Sequence, residues 1–198
     1  VWDFIYEPYG NNFDLYQMGC KLRNYALMTD LHFSTEPYCT LYPGSCKVSP
    51  VARQARKDKL DIRSSLKISQ EQYLVLISMG GIESSIKFEE LIRSNPQLTF
   101  LYPGSLGSLS APNLIRLPHH HDYFHPDLVN ASDVIIAKLG YSSLAEAYIH
   151  GVNGCFIANH RNPESAVLAK FMLDEQMGVV LSDAELSTFD WTKCLENT

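Results

Sequence analysis

The sequence has no Cys-x-x-Cys pair, no long apolar run and no excess of basic charge, and each absence excludes a class of function. The five cysteines, Cys20, Cys39, Cys46, Cys155 and Cys194, are odd in number and widely scattered. That fits neither a disulfide framework nor a zinc knuckle, and predicts reduced thiols in a cytoplasmic protein. The longest apolar runs, such as residues 73–77 and 134–137, fall far short of the roughly 20 residues that a membrane-spanning helix needs, so no transmembrane segment is expected. Sixteen Lys and Arg against twenty-two Asp and Glu leave a net charge of −6, which provides no field to hold a nucleic-acid backbone. Nucleic acid is therefore not an expected partner. The opening Val1-Trp2-Asp3-Phe4 has neither an initiator Met nor a basic-then-apolar leader, and reads as the middle of a longer protein.

What is present is ordinary globular material: 45% hydrophobic and 19% charged residues over 198 positions are enough to bury a core without staples. From about residue 73 the chain alternates short apolar, β-branched runs with helical stretches. This pattern specifies a parallel sheet covered by helices. Strands are expected at 73–78, 98–102, 113–117, 134–137, 155–158 and 179–181, and helices at 84–93, 126–131, 143–150, 165–176 and 186–195. Several of these strands carry no polar alternation, as expected when both faces are covered. The fold class is α/β, a Rossmann-like sheet, preceded by an incomplete βαβ segment with a strand at 2–6, a helix at 13–28 and a strand at 31–34. Residues 42–58, rich in Pro, Gly, Ser and charge, read as a linker or exposed connection. The expected division is residues 1–62, a remnant of one domain plus linker, and residues 63–198, a second domain.

Three motifs carry chemistry-bearing residues. Ile77-Ser78-Met79-Gly80-Gly81 ends the first strong strand. Glycines there let the backbone turn and approach a ligand, and the N–H groups of the following helix favour a phosphate; a simple strand-to-helix turn explains the pair equally well. Lys138-Leu139-Gly140-Tyr141-Ser142-Ser143-Leu144-Ala145-Glu146 follows the strand at 134–137. Gly140 permits a turn, Ser142 and Ser143 offer hydroxyls to phosphate oxygens, and Glu146 lies where a carboxylate grips two adjacent ribose hydroxyls. The same Ser143-x-x-Glu146 spacing is also a helix capping box that needs no ligand. Residues 118–127 place four histidines, His119, His120, His121 and His125, in seven residues. Adjacent side chains do not converge on one ion and Pro126 starts the helix too late to pair His121 with His125, so no metal is expected. Pro126 and Asp127 read as the first turn of a short helix. Lys138 and Arg161 are the cations nearest these motifs and can offset phosphate charge.

The run Ser132-Asp133-Val134-Ile135-Ile136-Ala137-Lys138 followed by Gly140-Tyr141-Ser142-Ser143-Leu144-Ala145-Glu146 resembles the signature of the C-terminal, nucleotide-sugar-binding half of GT-B glycosyltransferases. The type is the lipid-II-forming UDP-N-acetylglucosamine transferase and its uncharacterised relatives. The resemblance covers roughly residues 73–182 and reaches back to Ser78, Gly80 and Gly81, which match the first phosphate-contacting loop. It implies that Gly140, Tyr141, Ser142 and Ser143 meet the diphosphate and that Glu146 holds the ribose. The loop at 118–125, with His125, would line the nucleobase. Asn162 and Glu164 are approximate counterparts of the residues that read the sugar hydroxyls. Residues 2–7 and 30–33 look like the end of the family's N-terminal, acceptor-binding half.

The resemblance implies a glycosyltransferase that uses a nucleotide-diphosphate sugar, a UDP-sugar by analogy. This chain would supply the donor-binding half, and transfer would proceed with inversion. The acceptor, the sugar and the catalytic base are left open, and no cofactor is expected; backbone N–H groups at Gly80, Gly81 and residues 140–143 would assist departure of the diphosphate. The alternatives are a nucleotide-sugar hydrolase or epimerase on the same fold, and a non-catalytic nucleotide-sugar-binding subunit.

Overall fold

A buried aspartate ties together the first part of the chain in the computed structural model, which describes residues 2–8, 10–80, 88–104, 109–118, 120–159, 161–182, 185 and 189. Helices α1 (Trp2–Tyr6) and α2 (Phe13–Leu27) form a hairpin, and the Tyr42 hydroxyl donates to the buried Asp3 carboxylate. The strand expected at 2–6 is thus a helix: Glu7 N–H donates to Asp3 O at 3.0 Å. Four apolar residues around Asp3 carry too little period to choose between the two conformations, and packing on α2 decides. Gly19 is where the helices meet, since a Cβ there would lie 3.3 Å from Asp3 O and Tyr6 Cβ. Asn12 caps α2 by accepting from Leu15 N–H at 3.3 Å.

Strand β1 (Phe33–Thr35) pairs in parallel with β2 (Cys46–Val48). The second of these lies inside the stretch expected to be an exposed connection. Its three residues are too few and too polar to stand out, and they are recruited by the open edge of β1. Helix α3 (Lys59–Ser65), also not foreseen, starts at Asp58, whose carboxylate accepts from Leu60 N–H at 2.8 Å.

The remaining elements follow the expected alternation: β3 (Leu74–Ser78), α4 (Phe88–Ser94), β4 (Thr99–Pro103), β5 (Leu114–Leu117), α5 (His125–Ala131), β6 (Val134–Lys138), α6 (Tyr141–His150), β7 (Asn153–Ile157), α7 (Pro163–Asp174) and β8 (Gly178–Leu181). The first turn of the helix expected at 84–93 lies outside the described residues. So does the helix expected at 186–195, apart from Phe189.

The six expected strands form one parallel sheet in the order β5-β4-β3-β6-β7-β8. The chain enters at β3, builds outward to β5, then crosses back to lay β6 on the other side of β3. Sheets of this winding accept ligands in the crevice outside the carboxyl ends of the strands at such a reversal, here β3 and β6.

Alternation along each strand divides the core. Leu74, Leu76, Ile135 and Phe156 face α3, α5, α6 and α7, where they meet Ile62, Leu128, Leu144, Leu168 and Met172. Val75, Ile77, Val134, Ile136 and Cys155 face the other way, onto Phe88, Leu91 and Ile92 of α4. Covering both faces is what makes the strands continuous apolar runs.

The tie between α3 and the sheet is ionic. Asp133, just before β6, accepts from Leu74 N–H at 2.7 Å, from Arg63 Nη2 at 2.5 Å and from Lys59 Nζ at 2.9 Å. Arg63 is 2% exposed and spends its other donors on the carbonyls of Ala131, Ser69 and Gln72. Arg63→Ala would leave the part-buried Asp133 carboxylate with Lys59 as its cation and take a donor from three carbonyls, and losing a buried hydrogen bond to a charged group costs about 1.5–3 kcal/mol. We expect a drop of that size in unfolding free energy by urea titration.

Candidate functional site

Ser78 is the last residue of β3 and continues the face of Leu74 and Leu76, so its hydroxyl emerges on the α5 and α6 side of the sheet. His125 is the first residue of α5. Its Nε2 lies 2.8 Å from Ser78 Oγ, and its Nδ1 lies 2.7 Å from Glu146 Oε2. Glu146 stands in the second turn of α6 and is 4% exposed. Its other oxygen, Oε1, accepts from Arg53 Nε at 3.1 Å and Nη2 at 2.8 Å. Four side chains from four segments thus form one chain of hydrogen bonds across the crevice: Ser78, His125, Glu146 and Arg53.

The electrostatics fix the direction of the bonds to Glu146. Burial pushes the Glu146 carboxyl up, but the hydrogen bonds and charges of His125 and Arg53 outweigh it and hold the group below the usual carboxylate range. An ionised carboxylate only accepts, so His125 donates from Nδ1; at Nε2 the imidazolium donates to Ser78 Oγ, whereas the neutral ring accepts from the Ser78 hydroxyl.

Arg53 belongs to a strap over residues 51–57 that runs along α6 and onto α5. Val51 N–H donates to the Tyr141 hydroxyl at 3.1 Å and Ala55 N–H to His150 Nε2 at 3.0 Å. His150 in turn bonds the Glu146 carbonyl from Nδ1 at 2.7 Å. Arg56 and Lys57 N–H both donate to Asp127 Oδ1, at 2.6 and 3.1 Å. The guanidiniums of Arg53 and Arg56 lie 5.1 and 3.9 Å from the centre of the Phe124 ring, a cation–π contact that keeps both at the mouth of the crevice.

The expected site residues fall in four groups. Ser78, His125 and Glu146 are brought into contact. Gly80 follows β3 at φ +70°, a conformation that favours glycine, while Gly81 lies outside the described residues. Gly140, Tyr141, Ser142 and Ser143 form the head of α6. Here two expectations are corrected. Gly140 is the N-cap at φ −142°, extended backbone that needs no glycine, and a Cβ on it would meet nothing within 4 Å. Because the helix begins at Tyr141, Ser143 lies inside it and makes no capping box with Glu146, whose carboxylate turns to His125 and Arg53 instead.

Asn162 and Glu164 are at the head of α7, two strands away from Ser78, and their bond is local: Asn162 Oδ1 caps the helix by accepting from Glu164 N–H at 3.1 Å. Lys138 ends β6, and exposed Arg161 donates its N–H to Asn159 Oδ1 at 3.0 Å. Among the thiols, Cys20, Cys39 and Cys46 are free, and burial pushes the Cys39 thiol up to about 11. Sequence reasoning missed Arg53, Arg56, Phe124 and His150. The two arginines lie three apart in a charged stretch without periodicity, and nothing in that stretch says which helix it will cross.

Comparison with solved structures places this fold. Acinetobacter baumannii MurG matches with a TM-score of 0.59 at 15% identity, over 88% of this chain and 52% of MurG. The spinosyn forosaminyltransferase SpnP matches with a TM-score of 0.58 at 16% identity, over 83% of this chain and 45% of SpnP. The calicheamicin glycosyltransferase CalG4 matches with a TM-score of 0.55 at 14% identity, over 91% and 47%. The chain therefore has the α/β, Rossmann-like fold of GT-B glycosyltransferases and spans about half the length of these structures. In sequence it is 26% identical over 204 residues to Arabidopsis thaliana L-arabinokinase, covering 98% of this chain and 19% of that protein. No family model matches. Among the described residues no helix is long and apolar enough to cross a membrane.

The depressed Glu146 and Asp133 carboxyls set an acid limb. A carboxyl held below its unfolded value contributes stability that is fully present above that value and is lost as pH falls through the folded one. Unfolding midpoints in urea are expected to hold from neutrality to about pH 5 and fall below it. Arg53→Met, which leaves Glu146 with one partner fewer, is expected to lower the midpoint at pH 7 and flatten the limb.

Proposed function

We propose that this chain is the donor-binding part of a glycosyltransferase and takes a nucleotide-diphosphate sugar, a UDP-sugar, in the crevice at the carboxyl ends of β3 and β6. The observation that carries the reading is the convergence of Ser78, His125 and Glu146 there, beside the head of α6. In this reading Glu146 exchanges Arg53 for the ribose hydroxyls. Ser142, Ser143 and the first N–H groups of α6 receive the diphosphate, and the open space before Gly140 lets it approach the backbone. Gly80 and Gly81 meet the same group from β3. Tyr141 and His125 flank it, with Lys138 and Arg161 offsetting its charge, and Asn162 and Glu164 face the sugar. The nucleotide-sugar-binding domain in this reading begins ahead of the strap rather than at residue 63, because Arg53, Lys59 and Ile62 already bond to or pack on the sheet unit, and the segment before the strap belongs to the acceptor side.

The fold shared with MurG, SpnP and CalG4 supports glycosyl transfer as the reaction class, although fold alone does not fix chemistry. A second reading, a nucleotide-sugar-binding segment without turnover, is favoured by one observation: nearly the whole chain aligns with a fifth of a protein named for a kinase. Donor consumption in the presence of an acceptor separates the two.

Titration calorimetry of the chain with UDP, and with ADP and GDP as controls, is the direct test. Selective binding of UDP is expected, weakened roughly 10- to 100-fold by Glu146→Ala, the scale of losing hydrogen bonds to a charged group. A folded sample that binds none of the three sinks the reading.

A further inference from the structure

The geometry points to a second activity in the same crevice: hydrolysis of short-chain carboxylic esters, with Ser78 as nucleophile, His125 as general base and Glu146 as the group that positions the imidazole. The three parts of a serine hydrolase relay are present in order. The Ser78 hydroxyl is 2.8 Å from His125 Nε2, and His125 Nδ1 is 2.7 Å from Glu146 Oε2. Both distances are within the reach that proton transfer requires. The relay is recognised by geometry and roles, not by chain order or fold.

The placement of each residue suits its role. Ser78 ends a central strand, and the chain turns away two residues later at Gly80, φ +70°. A backbone N–H from the residue after the nucleophile, here Met79, is the donor such a reaction would call on for the oxyanion. Glu146 is 4% exposed and anchored on its far side by Arg53, so it holds the Nδ1–H tautomer. The His125 side chain keeps 28% of its surface exposed and Ser78 only 8%, so substrate has to reach the Ser78 hydroxyl past the imidazole.

The steps balance without any further reactant than water. Ser78 Oγ bonds to the ester carbonyl carbon as its proton passes to His125 Nε2. The C–O bond to the alcohol breaks, and the alcohol leaves with that proton. Water then attacks the acyl-serine, gives its proton to His125, and the carboxylic acid departs as Ser78 regains the proton. Glu146 changes neither bonds nor charge.

This inference does not rest on the nucleotide-sugar reading: calorimetry with UDP reports the one, and covalent chemistry at Ser78 the other. The 198-residue chain is treated with a fluorophosphonate probe, the modified peptide is identified by mass spectrometry, and turnover of p-nitrophenyl butyrate is followed. Modification of Ser78 is expected, with turnover falling roughly 10³-fold in Ser78→Ala and in His125→Asn. Glu146→Gln, which keeps an acceptor for Nδ1–H, is expected to lower kcat with KM unchanged. Labelling needs no variant, so a misfolded mutant does not obscure the result. Failure of the folded wild-type chain to label at Ser78 overturns the inference, as does ester turnover that survives in Ser78→Ala.

Discussion

A carboxylate that is 4% exposed is intolerable without partners, and the arrangement around Glu146 follows from that constraint. Helix α6 carries it beneath the lip of the sheet, where water cannot solvate both oxygens. One oxygen recruits His125, which thereby fixes the start of α5 against the end of β3. The other recruits Arg53 and, with it, a stretch of chain that has no regular structure of its own. The winding of the sheet sets the switch point; what stands there is selected by the demand of one buried charge. The same logic operates at the opposite ends of these strands, where Asp133 joins Arg63 and Lys59 to the amino end of β3. The β3–β6 seam is thus bounded by an anion at each end.

Much of the sheet was legible in the sequence because burial on both faces leaves an unambiguous mark. Residues 74–78 and 134–138 are apolar nearly throughout, and all six strands foreseen between 73 and 181 occur. Residues 2–6 failed for the complementary reason: four apolar residues around Asp3 are too short a pattern to show a period, and contact with α2 determined the conformation. Strand β2 and helix α3 were hidden because their stabilisation is not local. The first exists by virtue of β1, and the second through Asp133 and the core contact of Ile62.

The candidate site was legible where chemistry and local structure coincide. A Ser at a strand end and a Glu one turn into a helix are visible as motifs, and so is a His beside the Pro that opens a helix. Their mutual contact is not visible, since Ser78, His125 and Glu146 are separated by 47 and 21 residues and meet only through the order of the strands. The Ser143-x-x-Glu146 spacing shows how a one-turn displacement reverses a meaning. With Gly140 rather than Ser143 at the cap, the glutamate becomes an interior residue whose carboxylate points across the crevice. Arg53 lay beyond reach for a different reason: an irregular segment has no period from which to infer a face.

The strap over residues 51–57 has an evolutionary consequence of its own. Except at Arg53, its polar ties to α5 and α6 use the peptide N–H, from Val51, Ala55, Arg56 and Lys57. Such ties are blind to side-chain identity, so relatives of this chain can diverge at Val51, Ala55 and Lys57 while the strap keeps its path, whereas Arg53 and Arg56 are also held by their guanidiniums over Phe124. The one substitution those four positions cannot absorb is proline, which has no N–H to give. Proline exclusion at these positions, more than any conserved residue type, is the signature by which the strap would be traced in other sequences.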